Sequence, residues 1–112
     1  AARKKRGVTP TARTLRELRR RGLEADVVER WIGGKTFRVR RDLFGCWDVA
    51  AVGGGELVLV QTTSGSNVSS RVRKIADAPA TPKLREANVR LLVHGWRKNA
   101  RGRWVLREID VS

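Results

Sequence analysis

Cysteine, histidine and acidic side chains are all scarce in this chain of 112 residues: one Cys, one His, and 11 Asp plus Glu against 25 Lys plus Arg. A lone thiol, Cys46, leaves no intrachain disulfide framework and no cysteine-based zinc site. A lone imidazole, His94, excludes a Ser/His/Asp triad unless it is itself the base. No apolar run approaches the ~20 residues of a membrane span, and none near the start has the form of a secretory signal. The expectation is a cytoplasmic, reducing setting and no membrane partner. The apolar fraction, 40%, is low, but it is gathered into short runs that can build a small core.

The shortage of acid leaves a formal charge of +14, and removing Arg3, Lys4, Lys5 and Arg6 still leaves +10. A surface this positive repels itself unless a polyanion lies on it, so nucleic acid is the leading partner. The length is that of one domain. Residues 1–8 read as a basic flexible arm, equally a solvated tail or a phosphate-contacting one, and 9–112 as a single domain.

Thr9-Pro10 reads as a helix start, with Thr9 as cap and Pro10 in the first turn. Ala12, Leu15 and Leu18 then form a stripe that ends at Gly22, while Arg13, Arg16, Glu17 and Arg20 line the opposite face. Strands are expected over 24–32 and 46–52, and over 56–61 after the turn Gly53-Gly54-Gly55. The segment 36–41, with Phe37 and Val39 alternating with basic residues, is either a strand extension or an ordered loop. A helix is expected over 68–76, capped by Ser66 or Asn67, with Val68, Val72 and Ile75 on one face. Pro79 and Pro82 break the chain. A strand over 89–93, a turn at Asn99-Ala100-Arg101-Gly102 and a strand over 104–111 complete it. The helix between two strands makes those strands parallel, which gives an α/β fold with a mixed central sheet flanked by helices and a C-terminal β-hairpin.

One constellation carries chemistry. Asp48 opens a buried strand, and Gln61-Thr62-Thr63 ends the next one, across a tight hairpin. Paired strands joined in this way bring both polar ends to one small volume, the arrangement that a metal or phosphate site requires.

These residues resemble the PD-(D/E)XK nuclease superfamily, in particular its archaeal and phage Holliday junction resolvase branch. That family's motif is an Asp opening one strand and, after a hairpin, Glu/Asp-x-Lys ending the next. Asp48 takes the place of the Asp, and Gln61-Thr62-Thr63 stands in the acid-x-lysine slot. The resemblance implies a restriction-endonuclease-like core of the order αβββαβ. It further implies a metal-dependent, structure-specific DNA endonuclease, acting on branched DNA as a homodimer, in a bacterial, archaeal or phage-infected host cell. Asp48, Gln61, the carbonyl of Thr62 and Asp42 would hold Mg²⁺ or Mn²⁺. Asp48, Gln61, Thr63, Lys74 and Glu17 form the implied catalytic set, with Lys74 or Arg71 replacing the absent motif lysine. Arg40, Arg41, Asn67, Arg71, Lys74, Trp96, Arg97 and Lys98 are the DNA-contacting candidates.

The departures are chemical. Gln61 offers a neutral amide oxygen where hard cations prefer carboxylate, and Thr63 cannot replace a lysine. Two alternatives therefore stand beside the enzyme: a DNA-binding module that has lost hydrolysis, and a basic RNA-binding protein. Asp48 and Asp42 could equally cap turns or pair with Arg40 and Arg41. Trp31, Trp47, Trp96 and Trp104 read as core or cross-strand packers, Trp96 being the best placed to stack on a base. His94 reads as a satisfied strand-end residue and Cys46 as a core filler.

Overall fold

The computed structural model describes residues 8–28, 30–33 and 39–112. Thr9 caps the first helix, α1 (Pro10–Arg20), its hydroxyl accepting from Ala12 N–H at 3.1 Å. Gly22, at φ 90°, turns the chain out of it while Leu23 N–H returns to the Leu18 carbonyl. Strand β1 (Glu24–Val27) follows, then the short β2 (Arg30–Ile32) and β3 (Val39–Arg41), which pair with each other as a separate ribbon. β4 (Val49–Gly53) and β5 (Glu56–Ser64) are joined by Gly54 and Gly55 at φ 60° and 80°, the left-handed pair that a two-residue hairpin demands. A 3-10 turn, Gly65–Asn67, leads into α2 (Val68–Asp77) and α3 (Thr81–Glu86). β6 (Arg90–Lys98) and β7 (Trp104–Asp110) close the chain, their turn held by Asn99 Oδ1 accepting from Arg101 and Arg103 N–H.

The fold is α/β, with a five-stranded mixed open sheet in the order β1-β4-β5-β6-β7. Only β5 and β6 run parallel, connected through α2 and α3, and the other neighbours are antiparallel. Strand residues alternate between two cores. On one face Leu18 of α1 meets Ala25, Val49, Ala51, Val58, Val60 and Leu92. On the other, Val68 and Ile75 of α2 meet Leu59, Leu91, Val93, Cys46 and Trp47. The central strands are thus apolar on both sides, which is why they read as near-continuous apolar runs. Among the described residues no helix is long and apolar enough to cross a membrane.

Several elements differ from the sequence reading. The expected strand over 24–32 divides, because the ladder with β4 ends at Val27 opposite Val49, and residues 30–32 pair with 39–41 instead. The strand expected from Cys46 begins at Val49. Phe44 and Gly45 take φ 54° and 75°, closing a tight turn in which Leu43 N–H donates to the Trp47 carbonyl at 2.8 Å. Pro82 does not simply break the chain but sits in the first turn of α3, where its missing N–H costs nothing. β6 extends through Lys98, because β7 pairs with it that far. The arm, apart from Val8, and the side chains of Arg40 and Trp31 lie outside the described residues.

Gly95 of β6 lies beneath the entry to α2, where an added Cβ would collide with Val68 Cγ2 and come within 3.3 Å of Gly65 Cα. Overpacking between a β-branched residue and main chain has little room to relax. Gly95→Ala is expected to destabilise the fold by about 1–3 kcal/mol, read as a lower urea midpoint at unchanged m-value.

Candidate functional site

Asp48 stands just ahead of β4, and both neighbouring strands grip its main chain. Its N–H donates to the Val60 carbonyl at 3.2 Å, and its carbonyl accepts from Val28 N–H at 3.0 Å. The carboxylate therefore has a fixed origin, and it reaches across to β5. Oδ1 accepts from Thr62 N–H at 3.1 Å, while Oδ2 accepts from the Thr62 hydroxyl at 3.0 Å and from Gln61 Nε2 at 3.3 Å. The two strand tips converge, as the hairpin spacing predicts. Asp48 and Gln61 are 5% and 3% exposed, so these donors offset what would otherwise be a heavy desolvation cost.

The amide's orientation follows from charge: reversed, Gln61 would set its oxygen against a carboxylate oxygen. With Nε2 facing Asp48, Oε1 points elsewhere and is buried without a hydrogen-bond partner. The Thr62 hydroxyl gives its proton to Asp48, so in its 2.9 Å contact with Thr11 of α1 it accepts. Thr63 is buried two positions beyond Gln61, on the same face of β5.

The remaining implied catalytic and metal residues are placed apart. Arg71 of α2 is partly buried with its Nε unpartnered, and Lys74, one turn on, is exposed. Lys74 and Asp42 both act on the Cys46 thiol, whose pKa is raised chiefly by burial, eased by Lys74 and reinforced by Asp42. No described contact carries Asp42 to Asp48. Glu17 is engaged at the end of its own helix: Arg20 grips it with a two-pronged fork at 3.0 and 2.7 Å, and Arg21, the residue just past the helix, adds a bond at 2.7 Å. The Arg20 fork above all, against the opposing pull of burial and with help from Arg21, lowers the Glu17 pKa to about 2. Among the described residues no three of His, Cys, Asp and Glu group closely enough to hold a metal ion.

A second polar cluster lies beside the first under α1. Thr62 and His94 are register partners in the parallel pair, and His94 faces Glu108 across β6–β7. His94 is fully buried, mid-strand rather than at a strand end, with Nε2 2.7 Å from Glu108 and Nδ1 3.0 Å from the Thr14 hydroxyl. Trp96 Nε1, which can only donate, gives its hydrogen to Thr14 at 3.0 Å. The Thr14 hydroxyl can then donate to Nδ1, which assigns the neutral ring its proton at Nε2, toward Glu108. Burial depresses the His94 pKa below 6.5, outweighing the opposing pull of Glu108. Arg21 bridges Glu108 and Glu17 at 2.8 and 2.7 Å, extending the chain to the surface. Sequence reasoning missed this cluster. The only signal for it was the hairpin register that sets His94 opposite Glu108.

The DNA-contacting candidates fall into two groups. Trp96, Arg97 and Lys98 line a groove of about 900 Å³, together with Trp104 and Arg107. Asn67 lies in the turn before α2, its amide donating to Ser64 Oγ at 3.1 Å, and Arg71 and Lys74 follow on that helix. Arg41 is exposed on β3. No family model, curated protein or solved structure matches the chain.

Four groups with depressed pKa values, His94, Glu17, Glu108 and Asp110, weaken the fold in acid, and the first two give the clearest tests. A buried imidazole with a depressed pKa stabilises fully above pH 6.5 and less as the pH falls below it, because the unfolded chain takes up the proton first. Glu17, depressed from 4.5 to about 2, stabilises above pH 4.5 and loses that contribution as the pH falls toward 2. Thermal melting across pH is expected to lose its first decline in His94→Gln and to fall less steeply between 4.5 and 2 in Glu17→Gln, the remaining decline belonging to Glu108 and Asp110.

Proposed function

We propose that the chain is a metal-dependent DNA endonuclease of restriction-endonuclease-like architecture, cutting branched or otherwise structured DNA as a homodimer. The observation that carries this reading is the convergence of the Asp48 carboxylate and the Gln61 amide at 3.3 Å on adjoining strand ends, with Gln61 Oε1 buried and unsatisfied. The order α1, β1, β4, β5, α2, β6, with β5 and β6 parallel, supports it.

The residue types fit a hard divalent cation, since the Asp48 carboxylate, the Gln61 amide and the Thr62 carbonyl all offer oxygen. Gln61 Nε2 faces both partners, however, and the amide would have to turn over for Oε1 to join them. With a single full charge among them, the fit is to weakly held Mg²⁺ or Mn²⁺. When bound, such an ion lowers the pKa of a water and polarises the scissile phosphate. The chain's own part is positioning. Val60 and Val28 fix the Asp48 main chain, Thr62 orients its carboxylate, and Thr11 ties the assembly to α1. Arg71, on α2 with its Nε unpartnered, is the candidate cation for charge developing on the phosphate, although no described contact joins it to Asp48 or Gln61.

A second reading has its own observation. The Asp48 carboxylate already accepts from Thr62 N–H, Thr62 Oγ1 and Gln61 Nε2, as a strand-end clamp would. On that reading the protein binds DNA without hydrolysing it.

Cleavage of a labelled four-way junction and a matched duplex in Mg²⁺ and in Mn²⁺ separates the two. The enzyme is expected to cut the junction preferentially. Asp48→Asn should lower the rate more than about 100-fold while leaving junction affinity in EDTA unchanged, with thermal melting to verify folding. Gln61→Glu, which adds a second carboxylate, should tighten metal binding. Tight binding with no cutting in either metal establishes the second reading, and preference for RNA overturns both. Affinity should fall steeply with salt, with a log–log slope of about −5 if ~6 phosphates are neutralised.

A further inference from the structure

We propose that Trp104 is a stacking platform for an unpaired nucleotide, set in a groove whose cations follow the adjoining phosphates. The inference deepens the DNA reading above, on which it rests for the kind of nucleic acid, and it is independent of hydrolysis.

Trp104 opens β7 opposite Lys98 and is 41% exposed, an unusual state for so large an apolar ring. It is also held in place. The Arg13 guanidinium lies 4.0 Å from the ring centroid, and the Lys98 ammonium 5.7 Å from it. Arg13 at that range covers part of the indole and restrains it, so the area that stays exposed is ordered in advance. Arg13 Nε is buried without an acceptor, so the guanidinium rests against the indole and is not drawn off by a protein hydrogen bond at that nitrogen.

The surroundings select the ligand by charge. The groove of about 900 Å³ is lined by Trp96, Trp104, Arg97, Lys98 and Arg107 and ends at the turn around Gly65, with no Asp or Glu among its described lining residues. A smaller hollow of about 240 Å³ shares Trp96 and Trp104 and adds Arg13, Arg16 and Arg20. The one acid there, Glu17, is already engaged by Arg20 and Arg21. An aromatic face flanked by cations, without competing carboxylates, is the arrangement that binds single-stranded nucleic acid. A base within a duplex cannot reach such a ring, whereas one at a branch point can.

Trp96 plays a different part. Its Nε1 is anchored on Thr14, and its ring meets His94 in a T-shape at 6.4 Å, so it forms a wall of the groove.

The test is equilibrium binding in EDTA at low salt, using labelled short oligo(dT), an abasic strand of the same length, and a duplex. Wild type is expected to bind oligo(dT) about 5- to 150-fold more tightly than the abasic strand. Trp104→Leu should abolish that difference with little change for the duplex, and Trp104→Phe should recover part of it. The abasic comparison needs no variant, so misfolding of Trp104→Leu cannot mask the result. Equal wild-type affinity for abasic and thymidine strands overturns the proposal, as does undiminished oligo(dT) binding by a folded Trp104→Leu. Tighter binding of oligo(U) than of oligo(dT) overturns the assignment to DNA. A protein that discriminates the abasic strand but cuts no junction keeps this inference and loses the nuclease. One that cuts junctions without that discrimination does the reverse.

Discussion

The Asp48 carboxylate, buried between two strands and satisfied by donors from β5, is the interaction on which the site depends. A carboxylate so enclosed is tolerated only if its lone pairs are occupied. Thr62 meets this need with both its main-chain N–H and its hydroxyl, and Gln61 adds an amide hydrogen. The identity of residue 61 matters to the folded state for the same reason. A glutamate there would set a second carboxylate against the first, a pair stable only with a shared proton or a bound cation. Glutamine assembles the same two oxygen-bearing side chains with neither.

The clamp also reaches the helix. Thr11 and Thr14 of α1 present hydroxyls to the sheet at neighbouring points, one to Thr62 and one to His94. Leu18, one turn on, supplies the apolar anchor. Hydrophobic burial is non-directional and would tolerate some rotation of α1 about its axis, but two hydroxyls with fixed partners do not. The two polar clusters therefore share a role in docking, and each depends on the register that aligns Thr62 with His94.

Much of this is local enough to be legible. The Thr9 cap, the Leu15 and Leu18 stripe, the paired glycines of the hairpin and the helix between parallel strands all act over a few residues or follow from connection rules. The meeting of Asp48 with Gln61 was readable for the same reason, since a tight hairpin fixes its own register. What escaped depends on distant partners or unusual backbone. Phe44 adopts a left-handed conformation that nothing in a bulky aromatic announces. Which tryptophan is tethered and which stays open turns on Thr14, 82 positions from Trp96. That is why Trp96 reads as the stacking candidate in sequence while Trp104 presents the exposed ring. Glu17, drawn by the resemblance toward the metal, is taken by Arg20 of its own helix and by Arg21 just beyond it instead.

The charge distribution completes the physical picture. Glu17, Glu56, Glu108 and Asp110 are all paired with Arg20, Arg21 or Arg90. Acids already scarce are thus spent on holding helix, hairpin and sheet together, and they offset little of the field elsewhere. Surface pairs of this kind add only modest stability each. Their larger effect is to leave cations such as Arg97, Lys98 and Arg107 without an acidic neighbour among the described lining of the groove. Self-repulsion there is relieved by screening salt or by a polyanion, and a polyanion seated in the groove releases counterions as it binds. The same acids that brace the fold are missing from the described lining of the groove, which is where the positive field is least offset.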